Sequence, residues 1–367
     1  MKYVDVSAKM LGMRNISLIL LVVVLQAAVV NPARSCTTVL LGSKERPVFG
    51  RNYDYFFGDG MIVVNKRDMT KMALSFDNPI KWTSKFGSVS FTQYGREFPN
   101  GGMNEKGLTI AVLWLGRTKY ETPDDRPSIS PLQWVQYQLD TAASVKDIVD
   151  SQKRVRVKPI VGAMIHYFVA DKSGKCAVIE FVDGKRVVYS GQNLPGAALA
   201  NSTYKFSIGQ LQQCKAFGGD LDAKDVTRSR RFVNAAARAK TYTAKSGNPV
   251  DYAFETLDRV AQAGFTRWRI VYDIAKGKIH LKTAAAEKLK TIDFSGLKFD
   301  SKSPVKVLDI NSQLGGDVTQ KLEDYSAKKN EDLIRLALKK SPTSRNTPDF
   351  LVRAVAAYPS TTVPAKK

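Results

Sequence analysis

Residues 33–55 read Ala33-Arg34-Ser35-Cys36-Thr37-Thr38-Val39-Leu40-Leu41-Gly42-Ser43-Lys44-Glu45-Arg46-Pro47-Val48-Phe49-Gly50-Arg51-Asn52-Tyr53-Asp54-Tyr55. β-Branched and aromatic residues dominate 36–41 and 48–54, a composition that predicts two strands. The hexamer between them, residues 42–47, is rich in turn-forming residues. The stretch therefore predicts a hairpin that begins at a cysteine.

This hairpin places charged side chains beside the cysteine. Folding it about residues 44 and 45 is expected to bring Asp54 opposite Cys36, with Arg51 one step nearer the turn. An arginine stays charged and favours a thiolate, and a carboxylate can orient an amine. The alternatives without a catalytic role are a buried strand cysteine and a solvated Arg–Asp strand pair.

The residues before Cys36 have the order of a secretory signal peptide. A basic stretch within residues 1–15 precedes an apolar run, 16–30, and small residues stand at 33 and 35. Cutting after residue 35 would give a mature chain that starts at Cys36, with a thiol and a free α-amine in one residue. A periplasmic or secreted protein is therefore expected. A lipid-anchored cysteine fits poorly, because Arg34 stands where a small residue is wanted.

The charge suggests classes of partner without selecting one. The 367 residues carry a net charge of +22, of which the leader, residues 1–35, contributes +3 and the rest +19. No helix-turn-helix, zinc or RNA-binding signature accompanies this charge, so no nucleic-acid partner is expected. Anionic envelope surfaces or acidic substrates explain it equally well. No later apolar run is long enough to span a bilayer, so no stable membrane insertion is expected.

Cysteine and histidine are scarce. Besides Cys36 the chain has Cys176 and Cys214, which either pair or are two small buried residues. With only His166 and His280, no metal site is expected, and no cofactor is indicated. His166 lies in an apolar run and is interpreted as a core residue, since an N-terminal amine needs no histidine as base.

The order of elements predicts an α+β fold, with sheets before and after two groups of helices. Helices are expected at residues 130–143, 144–152, 225–239, 249–261 and 332–339, and strands at 61–64, 72–75, 89–93, 164–169, 175–181, 186–189, 266–274 and 278–283. Residues 99–107 are interpreted as a turn rich in glycine and asparagine. Residues 301–367 form an expected C-terminal extension, partly helical, with a loose tail from Pro342.

Several motifs in order resemble one known family. The motifs are Cys36-Thr37-Thr38, residues 50–54 (Gly-Arg-Asn-Tyr-Asp), 102–108 (Gly-Met-Asn-Glu-Lys-Gly-Leu), 201–203 (Asn-Ser-Thr), 229–233 (Ser-Arg-Arg-Phe-Val), 266–268 (Thr-Arg-Trp) and 272–273 (Tyr-Asp). Together they resemble the choloylglycine hydrolases, which comprise penicillin V acylases and conjugated bile salt hydrolases within the N-terminal nucleophile hydrolases. The resemblance implies a catalytic domain over residues 36–300, a four-layer αββα sandwich and a homotetramer.

The resemblance also implies roles for five residues. Cys36 matches the nucleophile, Arg51 and Asp54 match a pair on the first hairpin, Asn201 matches an asparagine that binds the oxyanion, and Arg231 matches a later active-site arginine. Two alternatives stay open. Asn201 also heads an Asn-x-Thr glycosylation sequence, and Arg231 lies in a basic run that could face solvent.

The implied activity is hydrolysis of a non-peptide linear amide, with a small-molecule amide as the partner. The tryptophan at position 114 resembles the residue found there in the Gram-negative branch of the family. Members of that branch accept penicillin V and N-acyl homoserine lactones, and hydrolysis of these lactones is known as quorum quenching. Tyr55, Phe56 and Phe57 would wall an acyl pocket with Trp114, although such aromatics are more often core residues. The alternatives are a conjugated bile salt hydrolase, a ceramidase-like lipid amidase, and an inactive basic envelope-binding protein on the same fold.

Overall fold

The structure is a computed structural model that describes residues 36–42, 46–75, 77–160, 162–227, 229–342 and 344–365. The expected signal peptide, residues 1–35, lies outside the described residues, as does the centre of the first hairpin turn, residues 43–45.

Two large sheets dominate the described residues. The strands are β1 (Thr37–Leu41), β2 (Val48–Asp54), β3 (Met61–Asn65), β4 (Met69–Met72), β5 (Lys81–Thr83), β6 (Ser88–Thr92), β7 (Gly101–Asn104), β8 (Thr109–Trp114), β9 (Ser128–Ile129), β10 (Arg156–Val157), β11 (Ile165–Ala170), β12 (Cys176–Val182), β13 (Lys185–Ser190), β14 (Ala198–Leu199), β15 (Thr266–Asp273), β16 (Lys278–Thr283), β17 (Ala286–Asp293), β18 (Lys306–Asp309), β19 (Gly316–Asp317), β20 (Glu323–Asp324) and β21 (Val363–Pro364). The first sheet has the order β14-β1-β2-β15-β16-β17-β19, and the second has the order β13-β12-β11-β8-β7-β6-β3-β18-β20. Small sheets pair β9 with β10, and β4 with β5 and β21.

Helices cover the outer faces of both sheets. They are α1 (Pro131–Thr141), α2 (Val145–Ser151), α3 (Tyr204–Leu211), α4 (Arg230–Thr241), α5 (Pro249–Arg259), α6 (Ala327–Lys340) and α7 (Asp349–Ala357). Helices α4 and α5 pack on β1 and β2 of the first sheet, and α1 packs on β7 and β8 of the second. Between the sheets, the rings of Phe49 and Phe168 stack with centroids 5.3 Å apart. The chain therefore has the α+β, four-layer αββα fold that the resemblance implied.

Strand β2 shows how the layers are held together. All seven of its residues are buried, as expected of a central strand covered on both faces. Successive side chains alternate between the faces. Arg51 reaches across to the second sheet, whereas Asn52 donates from Nδ2 to the carbonyl oxygen of Leu257 in α5, 2.7 Å away.

Several predicted elements are confirmed and others were misplaced. Ser130 and Ser144 are the N-caps of α1 and α2, as their sequence contexts predicted. The strand expected at 72–75 ends at Met72 instead. Gly101 and Gly102, expected in a turn at 99–107, lie in β7, where a Cβ on Gly101 would come 2.7 Å from an Arg51 nitrogen. These two glycines serve for close approach, whereas Gly107, with a φ of +83°, lies in the turn after β7 as predicted.

The expected loose tail is ordered by tertiary contacts. In α7 the buried Val352 and Ala356 form a small core with Ile334 of α6. Residue Val363 of β21 then pairs with Thr70 of β4. Among the described residues, no helix combines the length and the apolar character needed to cross a bilayer.

A buried ionic cluster joins β4, α1 and the turn before β7. Lys71 Nζ lies 2.7 Å from Glu97 Oε2 and 3.0 Å from Asp140 Oδ2, and each of these side chains is at most 1% exposed. Arg96 Nη2 lies 3.4 Å from Glu97 Oε1, and Trp82 donates from Nε1 to Asp140. Burial opposes the charge of Lys71, but the two carboxylates outweigh it and raise its pKa. Charges of both signs are thus balanced in the interior.

We expect the substitution Lys71→Met to destabilise the fold by about 3–5 kcal/mol, because it removes the cation that two buried carboxylates share and leaves only Arg96 near Glu97. Urea unfolding followed by circular dichroism measures this free energy. Lys146→Met is the matched control, since Lys146 is 81% exposed in its pair with Asp150 and should change little. Equal stability of the two variants would contradict a balanced cluster.

Candidate active site

Cys36 lies at the start of β1 with 5% of its surface exposed. Strand β1 pairs with β2 so that Thr37 faces Asn52. Cys36 therefore comes level with Tyr53, one residue short of the Asp54 that was expected opposite it. A shift of one residue turns a side chain to the other face of the sheet. Asp54 instead meets the thiol through its backbone, with its carbonyl oxygen 3.8 Å from Sγ.

Asn201 flanks the cysteine from the other side. Strand β14 pairs with β1, and Thr38 faces Leu199. Continuing this register by two residues brings Asn201 level with Cys36. Asn201 donates from Nδ2 to the carbonyl oxygen of Trp114, 2.6 Å away, which favours a binding role over the glycosylation alternative. Asn201 thus links the end of β8 to the loop after β14, on the side of β1 opposite to β2.

A buried carboxylate holds the Asn201 loop. Glu180 Oε1 accepts the backbone N–H of Tyr204, the first residue of α3, at 2.8 Å. The same oxygen lies 3.0 Å from Nδ1 of His166, a buried core residue as predicted. The N-cap, Thr203, makes no side-chain capping bond, so Glu180 takes that role. No local sequence pattern indicated this long-range contact.

Arg51 is completely buried between the sheets and is not a solvated strand residue. Its Nη1 donates to the carbonyl oxygen of Asn100 at 2.6 Å, and its Nη2 donates to that of Val112 at 2.9 Å. The guanidinium also lies over the ring of Tyr53, 4.9 Å from its centroid. It therefore holds the first hairpin against the second sheet and adds positive potential near Cys36.

Asp54 is held by three side chains on the helix side of the sheet. Thr266 donates from Oγ1 to Oδ1 at 2.6 Å, and Gln262 donates from Nε2 to Oδ2 at 3.0 Å. Arg231 Nη1 lies 3.6 Å from Oδ2. Burial raises the pKa of Asp54, and these neighbours only partly offset that effect. Thr266 opens one of the recognised motifs, whereas nothing in the sequence indicated Gln262.

Arg231 points into the site from the first turn of α4. Its Nη1 lies 3.4 Å from Thr37 Oγ1, next to Cys36 in the chain. The adjacent Arg230 is exposed, so the basic run does not face solvent as a whole. Burial lowers the pKa of Arg231, and the nearby Asp54 and Cys36 oppose that shift.

The thiol itself is disfavoured as an anion. Burial raises the pKa of Cys36, and the charge of Asp54 raises it further, whereas Arg51 and Arg231 act in the opposite direction. At neutral pH the thiol is therefore protonated in this chain. A base is needed to generate the nucleophile.

Three aromatic residues directly follow Asp54, whose carbonyl oxygen meets the thiol. The rings of Phe56 and Phe57 pack edge-on against that of Tyr55, with centroids 5.6 and 5.1 Å away. Phe57 is buried, and Trp114, at the end of β8, is half-buried like Tyr55 and Phe56. Arg267 donates to the carbonyl oxygens of Tyr55 and Phe56. Arg267 thus holds the backbone of residues 55 and 56, while the side chains of Tyr55 and Phe56 remain partly exposed.

The other cysteines and the acidic residues form no further centre in the described part of the chain. Cys176 and Cys214 are free thiols and are not joined. Burial raises the pKa of Cys176 to about 12, so it is not poised as a nucleophile. No group of three or more His, Cys, Asp or Glu side chains that could hold a metal ion is found among these residues.

Comparisons with known proteins agree with this geometry. A penicillin V acylase of Pectobacterium atrosepticum is 26% identical, over 60% of this chain and 69% of its own. The structure of penicillin V acylase from Agrobacterium tumefaciens aligns with a TM-score of 0.68 and 26% identity, over 79% of this chain and 98% of that one. A mutant conjugated bile acid hydrolase from Clostridium perfringens is 20% identical and shares the fold with a TM-score of 0.62. The alignment covers 77% of this chain and 98% of that one.

The family model for linear amide C–N hydrolases of the choloylglycine hydrolase family matches residues 36–307. The match begins at the cysteine around which the site is built. The chain belongs to the choloylglycine hydrolase family and is a penicillin V acylase-like hydrolase of carbon–nitrogen bonds in linear amides.

Proposed function

We propose that this protein is a secreted cysteine amidase whose mature chain starts at Cys36, and that it hydrolyses penicillin V or N-acyl homoserine lactones. The observation that carries the proposal is the buried thiol of Cys36, level with Asn201 and surrounded by Arg51, Asp54 and Arg231. A homotetramer stays a prediction from the family resemblance.

The raised pKa of the thiol explains why a free N-terminus would matter. Cutting after residue 35 places an α-amine on Cys36 itself, with a reference pKa near 8. That amine takes the thiol proton while Sγ attacks the substrate carbonyl carbon. Arg51 and Arg231 stabilise the developing thiolate. The Asp54 carboxylate, held by Thr266, is the acceptor that orients the amine.

Asn201 supplies a donor for the oxyanion. Its side-chain NH₂ carries two hydrogens, and the bond to Trp114 fixes the amide plane with one of them. The other hydrogen serves the negative charge that forms on the carbonyl oxygen. As the C–N bond breaks, the ammonium of Cys36 gives its proton to the leaving nitrogen. Water then hydrolyses the thioester and regenerates the thiol.

Tyr55, Phe56, Phe57 and Trp114, called here the aromatic wall, favour acyl groups with an apolar or ring-bearing end. Tyr55 and Phe56 follow Asp54, whose carbonyl oxygen meets the thiol, and Trp114 is bonded through its carbonyl oxygen to Asn201. Rings of this kind pack well against a phenoxyacetyl group. The two relatives named penicillin V acylase support this preference. A conjugated bile salt is the second candidate, supported by the shared fold alone.

We expect the mature protein to begin at Cys36, since only a free N-terminus supplies the amine base. Cys36→Ala should lose all penicillin V hydrolysis, because it keeps that amine but removes the sulfur that attacks the carbonyl. N-terminal sequencing identifies the first residue of the mature protein, and product release measures penicillin V hydrolysis. Cys176→Ala is the matched control and should keep its activity, since that thiol lies outside the site. A mature N-terminus elsewhere, or an active Cys36→Ala protein, would exclude the mechanism.

We expect Asn201→Ala to lower kcat about a hundredfold or more through loss of an oxyanion donor. Glu180→Ala should lower kcat with little change in KM, because it frees the loop that carries Asn201. Glu180→Gln keeps an oxygen acceptor for the Tyr204 N–H and should restore most of the rate. Glu287→Ala, on the exposed surface, is the control. No rescue by glutamine would argue against positioning by hydrogen bonding.

The raised pKa of Asp54 predicts the shape of the acid limb. As pH falls, the amine of Cys36 protonates first, and log kcat/KM should drop with a slope of about one. The slope should steepen once Asp54 also protonates. Because burial raises the pKa of Asp54 above the ordinary aspartate value of 3.8, the steeper part should begin at a pH above 3.8. Asp54→Asn should be slower and lack the steeper part, whereas exposed Asp183→Asn should match the parent. An unchanged profile in Asp54→Asn would refute this role.

A further inference from the structure

Residues 327–358, called here the C-terminal segment, comprise α6, α7 and the turn after them. They lie beyond the family match, which ends at residue 307. No role in the site is assigned to them by the mechanism above. Their contacts nevertheless lead towards the aromatic wall beside Cys36.

The C-terminal segment is built onto the turn of residues 93–98. Asn330 is completely buried, and its Oδ1 accepts the backbone N–H of Arg96 at 2.8 Å. Gly95 has a φ of +90°, and a Cβ there would come 2.6 Å from Cδ1 of Ile334. The ring of Tyr358 packs against Phe98 with centroids 5.6 Å apart. Helix α6 therefore binds the turn's backbone directly and leaves no space between them.

The turn of residues 93–98 also contacts the aromatic wall. It carries Tyr94, whose hydroxyl lies 2.8 Å from the hydroxyl of Tyr55. A second contact runs from the end of α6, where Lys340 Nζ lies 2.6 Å from Asp59 Oδ2. That ion pair is partly exposed and contributes little by itself. The buried Asn330 is the main anchor.

We propose that the C-terminal segment positions the aromatic wall and thereby makes the site selective for ring-bearing acyl groups over linear ones of similar size. Ring-on-ring contacts need a fixed geometry, and the segment holds Tyr55 through Tyr94 and residues 55–59 through Lys340. A flexible alkyl chain adapts to a displaced wall, but an aryl group does not. This inference rests on the proposed amidase function.

The test compares Asn330→Ala and Tyr94→Phe with the parent enzyme. Both variants should lower the ratio of kcat/KM for phenoxyacetyl amides to that for hexanoyl amides by about three- to tenfold, the loss expected for one aromatic contact. Asn330→Ala should also speed amide hydrogen exchange in residues 55–59 and 93–97. Two exposed residues within the segment are the controls: Asn346→Ala and Lys339→Ala should match the parent in both measurements.

An unchanged selectivity ratio in both variants would overturn the proposal, even if exchange became faster. The milder Tyr94→Phe keeps the test decisive if Asn330→Ala does not fold. If the parent enzyme hydrolyses neither amide, the proposed amidase function fails and the selectivity claim falls with it. The exchange rates then still show whether the segment braces the wall, because they do not depend on turnover.

Discussion

The buried guanidinium of Arg51 is the interaction on which the remaining architecture depends. It crosses from the first hairpin to carbonyl oxygens at Asn100 and Val112, so it ties the two sheets together near Cys36. A charge removed from water is costly unless it is paired or hydrogen-bonded. The protein meets this demand with two carbonyls, the ring of Tyr53 and a glycine at 101 that leaves room for the head group.

Local sequence was enough to predict the hairpin and the helices whose caps are local. It placed Cys36 at the head of β1 because apolar β-branched residues follow it, and it located α1 and α2 from their serine caps. The pairing register was wrong by one residue. Register depends on which face each residue buries across the whole sheet, and counting through a six-residue turn does not reveal that.

The partners of the site residues were harder to predict, because they come from distant parts of the chain. Asn201 and Arg231 were recognised only by family resemblance, and the structure brings both to the cysteine through β14 and α4. Glu180 and Gln262 carried no local signal, since their contacts exist only after the sheets and helices pack. The tail from Pro342 was misjudged for a similar reason: its order comes from contacts with Ile334 and β4.

The two arginines beside the thiol differ in their contact with solvent, and this difference bears on ionic strength. Arg51 is entirely enclosed, whereas a quarter of the Arg231 side chain is exposed. Dissolved ions screen exposed charges over about 10 Å at 0.1 M salt but act weakly on enclosed ones. Part of the positive potential at Cys36 is therefore independent of the surrounding medium. The balance of charge at the Cys36 thiol should therefore vary less with salt concentration than it would if both arginines were exposed.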